Sequence, residues 1–180
     1  MRVRGIFDQK HPILRESPAA MSIKKLTLLR HAKAVTALPG MDDHARMLNS
    51  RGRAAAAQVG IETAGARPDL VLCSDAARTR ETWEILSHTW EILPPVLFES
   101  GLYLASPGAL LGRLRGLAPE IGHAWLIGHN PGLEQLASEL SGQFTGLTTA
   151  ARARIEFDGA WRALGAPTVR RADYFIPARD

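Results

Sequence analysis

The run His123–Leu140, HAWLIGHNPGLEQLASEL, decides the fold class. HAWLIG is a short apolar stretch with the length and composition of a fully buried strand. It breaks at His129-Asn130-Pro131, where asparagine followed by proline reads as a cap opening a helix. Beyond the break, Leu133, Leu136 and Leu140 recur at helical spacing and share one face. A buried strand turning directly into an amphipathic helix is the building unit of an α/β domain.

The same unit recurs on either side. LTLLR (26–30) is a leucine-rich strand followed by polar residues. A loop through Pro39, Gly40, Asp42 and Asp43 then leads to Asn49, an N-cap for the alanine-rich helix SRGRAAAAQVGIETAG (50–65). DLVLCS (69–74) is a second buried strand. ARTRETWEILSHTW (77–90) is a helix with Trp83, Leu86 and Trp90 on one face, and PVLFES (95–100) is a shorter strand. Ser106 and Pro107 open the helix GALLGRLRGLA (108–118), with the serine at the cap and the proline at the first helical position. ARARIEF (151–157), AWRAL (160–164) and DYFIP (173–177) alternate like a hairpin plus a last strand. The pattern predicts a three-layer α/β/α sandwich with a mostly parallel central sheet. No linker or repeat divides it. One domain is expected over residues 22–180, preceded by an extension over 1–21 that reads as poorly ordered.

Composition narrows the function classes. Of 180 residues, 46% are hydrophobic, which excludes disorder, and the single cysteine excludes an internal disulfide framework. The net charge is +4, but Arg2, Arg4, Lys10 and Arg15 against Asp8 and Glu16 leave only +2 for residues 22–180. No basic stripe interleaved with aromatics suggests nucleic acid. No apolar run approaches the ~20 residues of a spanning helix, and residues 1–20 lack the apolar centre of a signal peptide. A cytoplasmic location, with no membrane partner, is therefore expected.

Chemistry collects behind the strands, where open α/β sheets place their sites. Arg30 and His31 follow the first strand, Ser74, Asp75 and Arg78 the second, Glu99 the third, and His129 and Asn130 the fourth. Two guanidinium groups facing one pocket suit a phosphate, which they bind in bidentate fashion. A helix start beside His129 adds amide donors of the same preference. An imidazole with one free lone pair can attack phosphorus, needing neither metal nor cofactor.

These blocks resemble the histidine phosphatase (phosphoglycerate-mutase-like) superfamily. LTLLRHAKA is similar to its Arg-His signature, in the Arg-His-Ala form of SixA-type phosphohistidine phosphatases. SDAARTRET and LIGHNPGLEQLA resemble its second and third blocks. DDHARMLNSRG and LYLASPGALLGRL resemble the intervening segments, with Met47 where the family usually has proline. The resemblance runs from about Leu26 to Phe157. It implies that His31 is the nucleophile forming a phosphohistidine, that Arg30 and Arg78 bind the phosphoryl oxygens, and that His129 completes the pocket. Arg46 would support the loop or the pocket edge, and Glu99 is a possible general acid. The implied substrate is phosphohistidine on a protein, or alternatively a small phosphate ester.

Three rival readings stay open. Cys73 and Arg78 have four intervening residues, not the five of a cysteine phosphatase loop, whose arginine position is held by Thr79. Asp42, Asp43, His44 and His129 could serve a metal, although no tight histidine pair supports it. A phosphoryl-binding protein without turnover is the third. His11, His88, His123 and the four tryptophans are read as structural.

Overall fold

Leucines at 26, 28 and 29 make the strand Ile23–Arg30 (β1) apolar on both faces, and it occupies the interior of a six-stranded sheet. The structure, a computed structural model, describes residues 23–144 and 146–177, so the expected extension over 1–21 lies outside the described residues. Along the chain follow α1 (Ser50–Thr63), β2 (Leu70–Ser74), α2 (Ala77–Ser87), β3 (Val96–Glu99) and α3 (Pro107–Arg115). Then come β4 (His123–Gly128), α4 (Gly132–Ser141), β5 (Arg152–Asp158) and β6 (Val169–Phe175). The strand order is β3-β2-β4-β1-β5-β6. The first four strands in that order are mutually parallel, whereas β5 pairs antiparallel with both β1 and β6.

Alternation along the strands divides the core into two layers. Leu26, Leu28, Leu70, Leu72 and Leu126 pack with Leu110 and Leu114 of α3 and Leu133, Leu136 and Leu140 of α4. Leu29, Val71, Cys73, Trp125 and Ile127 face the other way, onto Ala56 and Val59 of α1 and Trp83 and Leu86 of α2. The α/β/α sandwich is thus present, its sheet parallel except for β5, which runs against both of its neighbours. Among the described residues, no helix is long and apolar enough to cross a membrane.

Three local expectations are corrected. Helix α2 ends at Ser87, not at Trp90, because Trp90 turns back to pack edge-on between Trp83 (5.6 Å) and Trp125 (5.2 Å). AWRAL holds a short 3₁₀ turn, Trp161–Ala163, whose indole donates to the Ile121 carbonyl at 2.7 Å and packs on Phe157. Asn130 does not cap α4. Its amide donates to Glu134 and to the Leu147 carbonyl, and α4 begins at Gly132 without a side-chain cap.

Candidate active site

Strand register brings the two histidines together. In the parallel β1–β4 pair, Arg30 lies opposite Gly128, so the next residues, His31 and His129, emerge side by side. Their rings are 5.1 Å apart between centroids. The β2–β4 pair sets Cys73 opposite Ile127, which carries Ser74 alongside, and its hydroxyl lies 2.9 Å from His129 Nε2. The cavity at these strand ends, about 630 Å³, is lined by Arg30, His31, Asp43, Arg46, Arg78 and His129 among others.

The tautomer of His31 follows from its partners. Nδ1 lies 2.7 Å from the Ala32 carbonyl, which can only accept, so Nδ1 carries the hydrogen. The Nε2 lone pair then remains, and Arg78 Nε donates to it at 3.3 Å. Ala32 is itself held: its N–H donates to Thr82 Oγ1 at 3.0 Å, and that hydroxyl donates to the Arg78 carbonyl at 2.6 Å. Burial, aided by the nearby Arg78, Arg30 and Arg46, pulls His31 down to about 4 against the backbone bond. Burial, with His31 and Arg78 adding to it, brings His129 to about 3. Both rings are neutral at pH 7. Nδ1 of His129 is buried and has no protein partner.

The arginines are anchored from the wall. Arg30 donates to the Leu147 carbonyl at 2.7 Å. Arg78, 3% exposed, donates to the Asp43 carbonyl at 2.6 Å and to its carboxylate at 3.0 Å. Arg46 grips the same carboxylate at 2.7 Å and the Val35 carbonyl through two further nitrogens. Met47, exposed where the family usually has proline, accepts from the Val35 N–H and so helps close this loop.

Comparison with known proteins accords with this geometry. Residues 26–118 match the histidine phosphatase superfamily (branch 1). An uncharacterised chloroplastic protein of Arabidopsis thaliana is 33% identical over 157 residues, covering 81% of this chain and 72% of that protein. The chain belongs to the histidine phosphatase superfamily. Among solved structures, the candidate phosphohistidine phosphatase SixA of Agrobacterium tumefaciens superposes with a TM-score of 0.74 at 29% identity, over 86% of this chain and 98% of that one. The protein histidine phosphatase SixA bound to tungstate shares the fold, with a TM-score of 0.70 at 21% identity over 82% and 95% of the two chains. These two neighbours are of SixA type, and membership in the superfamily supports phosphatase activity.

In this member of the superfamily the expected residues divide clearly. Arg30, His31, Arg78 and His129 meet in one cavity, with Arg46 at its edge. Glu99 does not join them. It lies outside the lining, its carboxylate held by Arg113 through contacts of 2.7, 2.9 and 3.1 Å, which removes the support for its reading as an acid. Cys73 is buried in β2, its thiol pushed up by burial, and takes no part in the lining. Of the donors considered for a metal, His44 pairs with Asp75 at 2.8 Å and Asp43 with arginines. Among the described residues, no group of three or more His, Cys, Asp or Glu is placed to hold a metal ion.

Sequence reasoning missed the part played by Asp43 and passed over Tyr103. The Tyr103 hydroxyl donates to Asp43 Oδ2 at 2.6 Å, and its ring lies edge-on to His129 at 5.2 Å and beneath the Arg78 guanidinium at 5.6 Å. The available signal was slight: Tyr103 is one of two tyrosines and follows the third strand. Leu104, next to it, lines the cavity with a half-exposed side chain and a left-handed backbone (φ 49°).

Proposed function

We propose that this chain hydrolyses phosphohistidine on a protein through a covalent phosphoryl group on His31. The observation that carries the reading is the unprotonated His31 Nε2, which accepts only a long bond from Arg78, in a cationic cavity whose one carboxylate, among the described residues, is held ionised. Hydrogen bonds from Tyr103 and Arg46, with Arg78 beside them, keep Asp43 well below the ordinary carboxylate range despite some burial. Asp43 therefore has no proton to give at neutral pH. An alkoxide leaving group needs such a proton. A phosphorylated imidazole, protonated by solvent on its other nitrogen, departs as a neutral ring without one.

In the first step His31 Nε2 forms a bond to phosphorus as the bond from phosphorus to the substrate nitrogen breaks, its electron pair going to the departing imidazole. Nδ1 keeps its hydrogen on the Ala32 carbonyl, so the phosphorylated ring is cationic. That makes it a good leaving group for the second step, in which water attacks phosphorus, one water proton passes to a phosphoryl oxygen of the phosphate formed, and the electron pair returns to Nε2. Arg30 and Arg78 offset charge on the phosphoryl oxygens, and His129 completes the wall of the same cavity. This water-open cavity accepts a phosphoryl group displayed on another protein.

The test is a panel of a chemically phosphorylated polyhistidine, phosphoramidate and the alkyl ester glycerol phosphate, run with wild type and His31→Ala. Expected are a kcat/KM at least about tenfold higher on the nitrogen–phosphorus substrates than on the ester, acid-labile label trapped on wild type, and loss of both in His31→Ala. Preference for the ester would reassign the substrate to small phosphomonoesters. Binding without turnover or label would make the chain a phosphoryl-binding protein.

A further inference from the structure

A carboxylate among phosphate-binding cations is costly, because it repels the ligand that the site exists to hold. Asp43 is the one acidic residue lining the cavity among the described residues, so its presence calls for a positive reason. Its contacts supply one. The backbone carbonyl of Asp43 accepts from Arg78 Nη1 at 2.6 Å, and Oδ2 accepts from Arg78 Nη2 at 3.0 Å. With Arg78 Nε directed at His31 Nε2, three donors of the planar guanidinium are assigned and its plane is set. Oδ1 holds Arg46 at 2.7 Å, and Tyr103 donates to Oδ2 at 2.6 Å.

We infer that Asp43 is a positioning residue: it orients Arg78, and with it the fork that must meet the transferring phosphoryl group, against the attacking nitrogen of His31. Tyr103 braces the carboxylate from the segment after β3, so three separate parts of the chain converge on one guanidinium. Asp43 acts through Arg78 and makes no bond to the phosphoryl group. The inference rests on His31 being the phosphoryl acceptor.

Positioning and charge pull in opposite directions here, and this gives the test its signature. In Asp43→Asn the negative charge is gone, so a bare anion binds as well or better, while Arg78 loses its alignment and turnover falls. A misplacement of about an ångström can cost on the order of a hundredfold in rate. With phosphoramidate as substrate, Asp43→Asn is expected to lower kcat by about ten- to a hundredfold. The inhibition constant of inorganic phosphate should stay within about twofold of wild type or tighten. A kcat within about twofold of wild type overturns the inference, as does a loss matched by equally weakened phosphate inhibition, which would mean general collapse of the site. Should Asp43→Asn fail to fold by circular dichroism, Tyr103→Phe carries the test. A several-fold fall in kcat at unchanged phosphate inhibition supports the inference, and an unchanged kcat overturns it. Rapid-quench labelling of wild type separates the two levels, because absence of label on His31 rejects the acceptor assignment itself.

Discussion

Three histidines, His129 buried and His31 and His123 half-buried, give the folded chain a pH response that can be worked out residue by residue. Burial holds His31 and His123 at about 4 and His129 at about 3, all below the ordinary 6.5. In the unfolded chain these rings protonate near 6.5. Across the window from about 6.5 down to about 4, the unfolded state binds more protons than the native state, so acidification favours unfolding. Stability should rise with pH through that window and level off above it. Asp43, held low, acts in the same sense but only in more acidic solution, where its unfolded carboxyl would protonate. Melting temperatures measured between pH 4.5 and 8 should follow this course. His123→Gln should flatten it, since a glutamine oxygen can accept from Trp125 Nε1 as the His123 ring does, without titrating. An equally steep slope in that variant would remove His123 from the account. His31 and His129 could be found from the sequence because each directly follows a strand, and parallel pairing fixes where such residues emerge. Asp43 and Tyr103 could not, since their bonds to Arg78 and to each other span 35 and 60 residues and depend on how loops return over the sheet.

At the scale of elements, the packing of α1 on α2 turns on Gly60. A methyl group there would lie 2.3 Å from the Leu86 carbonyl and 2.8 Å from the Thr89 hydroxyl. Helix propensity alone would make Gly60→Ala stabilising by about 0.5–1 kcal/mol. Contact with rigid backbone reverses the sign, and a loss of about 1–3 kcal/mol is expected. Gly112, inside α3, has open space at the same position, so Gly112→Ala should gain about 0.5–1 kcal/mol. Denaturant midpoints of the two variants should therefore move in opposite directions. The contrast also shows what part of the fold is written locally. Asn49 and Ser106 cap their helices as read, accepting from Gly52 N at 2.8 Å and Ala109 N at 3.2 Å, because a cap is a bond across three residues. The cap at Asn130, the end of α2 and the segment 160–164 depart from the local reading because other partners claim their residues: Glu134 and Leu147 for Asn130, the facing tryptophans for Trp90, and the Ile121 carbonyl for Trp161.

For the molecule as a whole, the modest net charge of +4 conceals a strong local imbalance. Among the described residues, Arg30, Lys33, Arg46 and Arg78 line one cavity against the single carboxylate of Asp43. Low-dielectric walls focus such a field outward and raise the rate at which an anionic substrate arrives. Salt shortens the reach of that field to about 10 Å at 0.1 M and about 3 Å at 1 M, whereas contacts made inside the closed complex are screened far less. Encounter and chemistry should therefore separate. As sodium chloride is raised from about 20 to 500 mM, kcat/KM on phosphoramidate should fall several-fold while kcat changes little. Lys33 is exposed at the cavity and stands outside the Asp43 network, so Lys33→Gln should make kcat/KM less dependent on salt with kcat preserved. Steady-state kinetics of both proteins across the salt series reads this directly. A wild-type kcat/KM indifferent to salt would mean that the four cations hold the phosphoryl group only after arrival, and a salt dependence confined to kcat would place the screened interaction in the chemical steps.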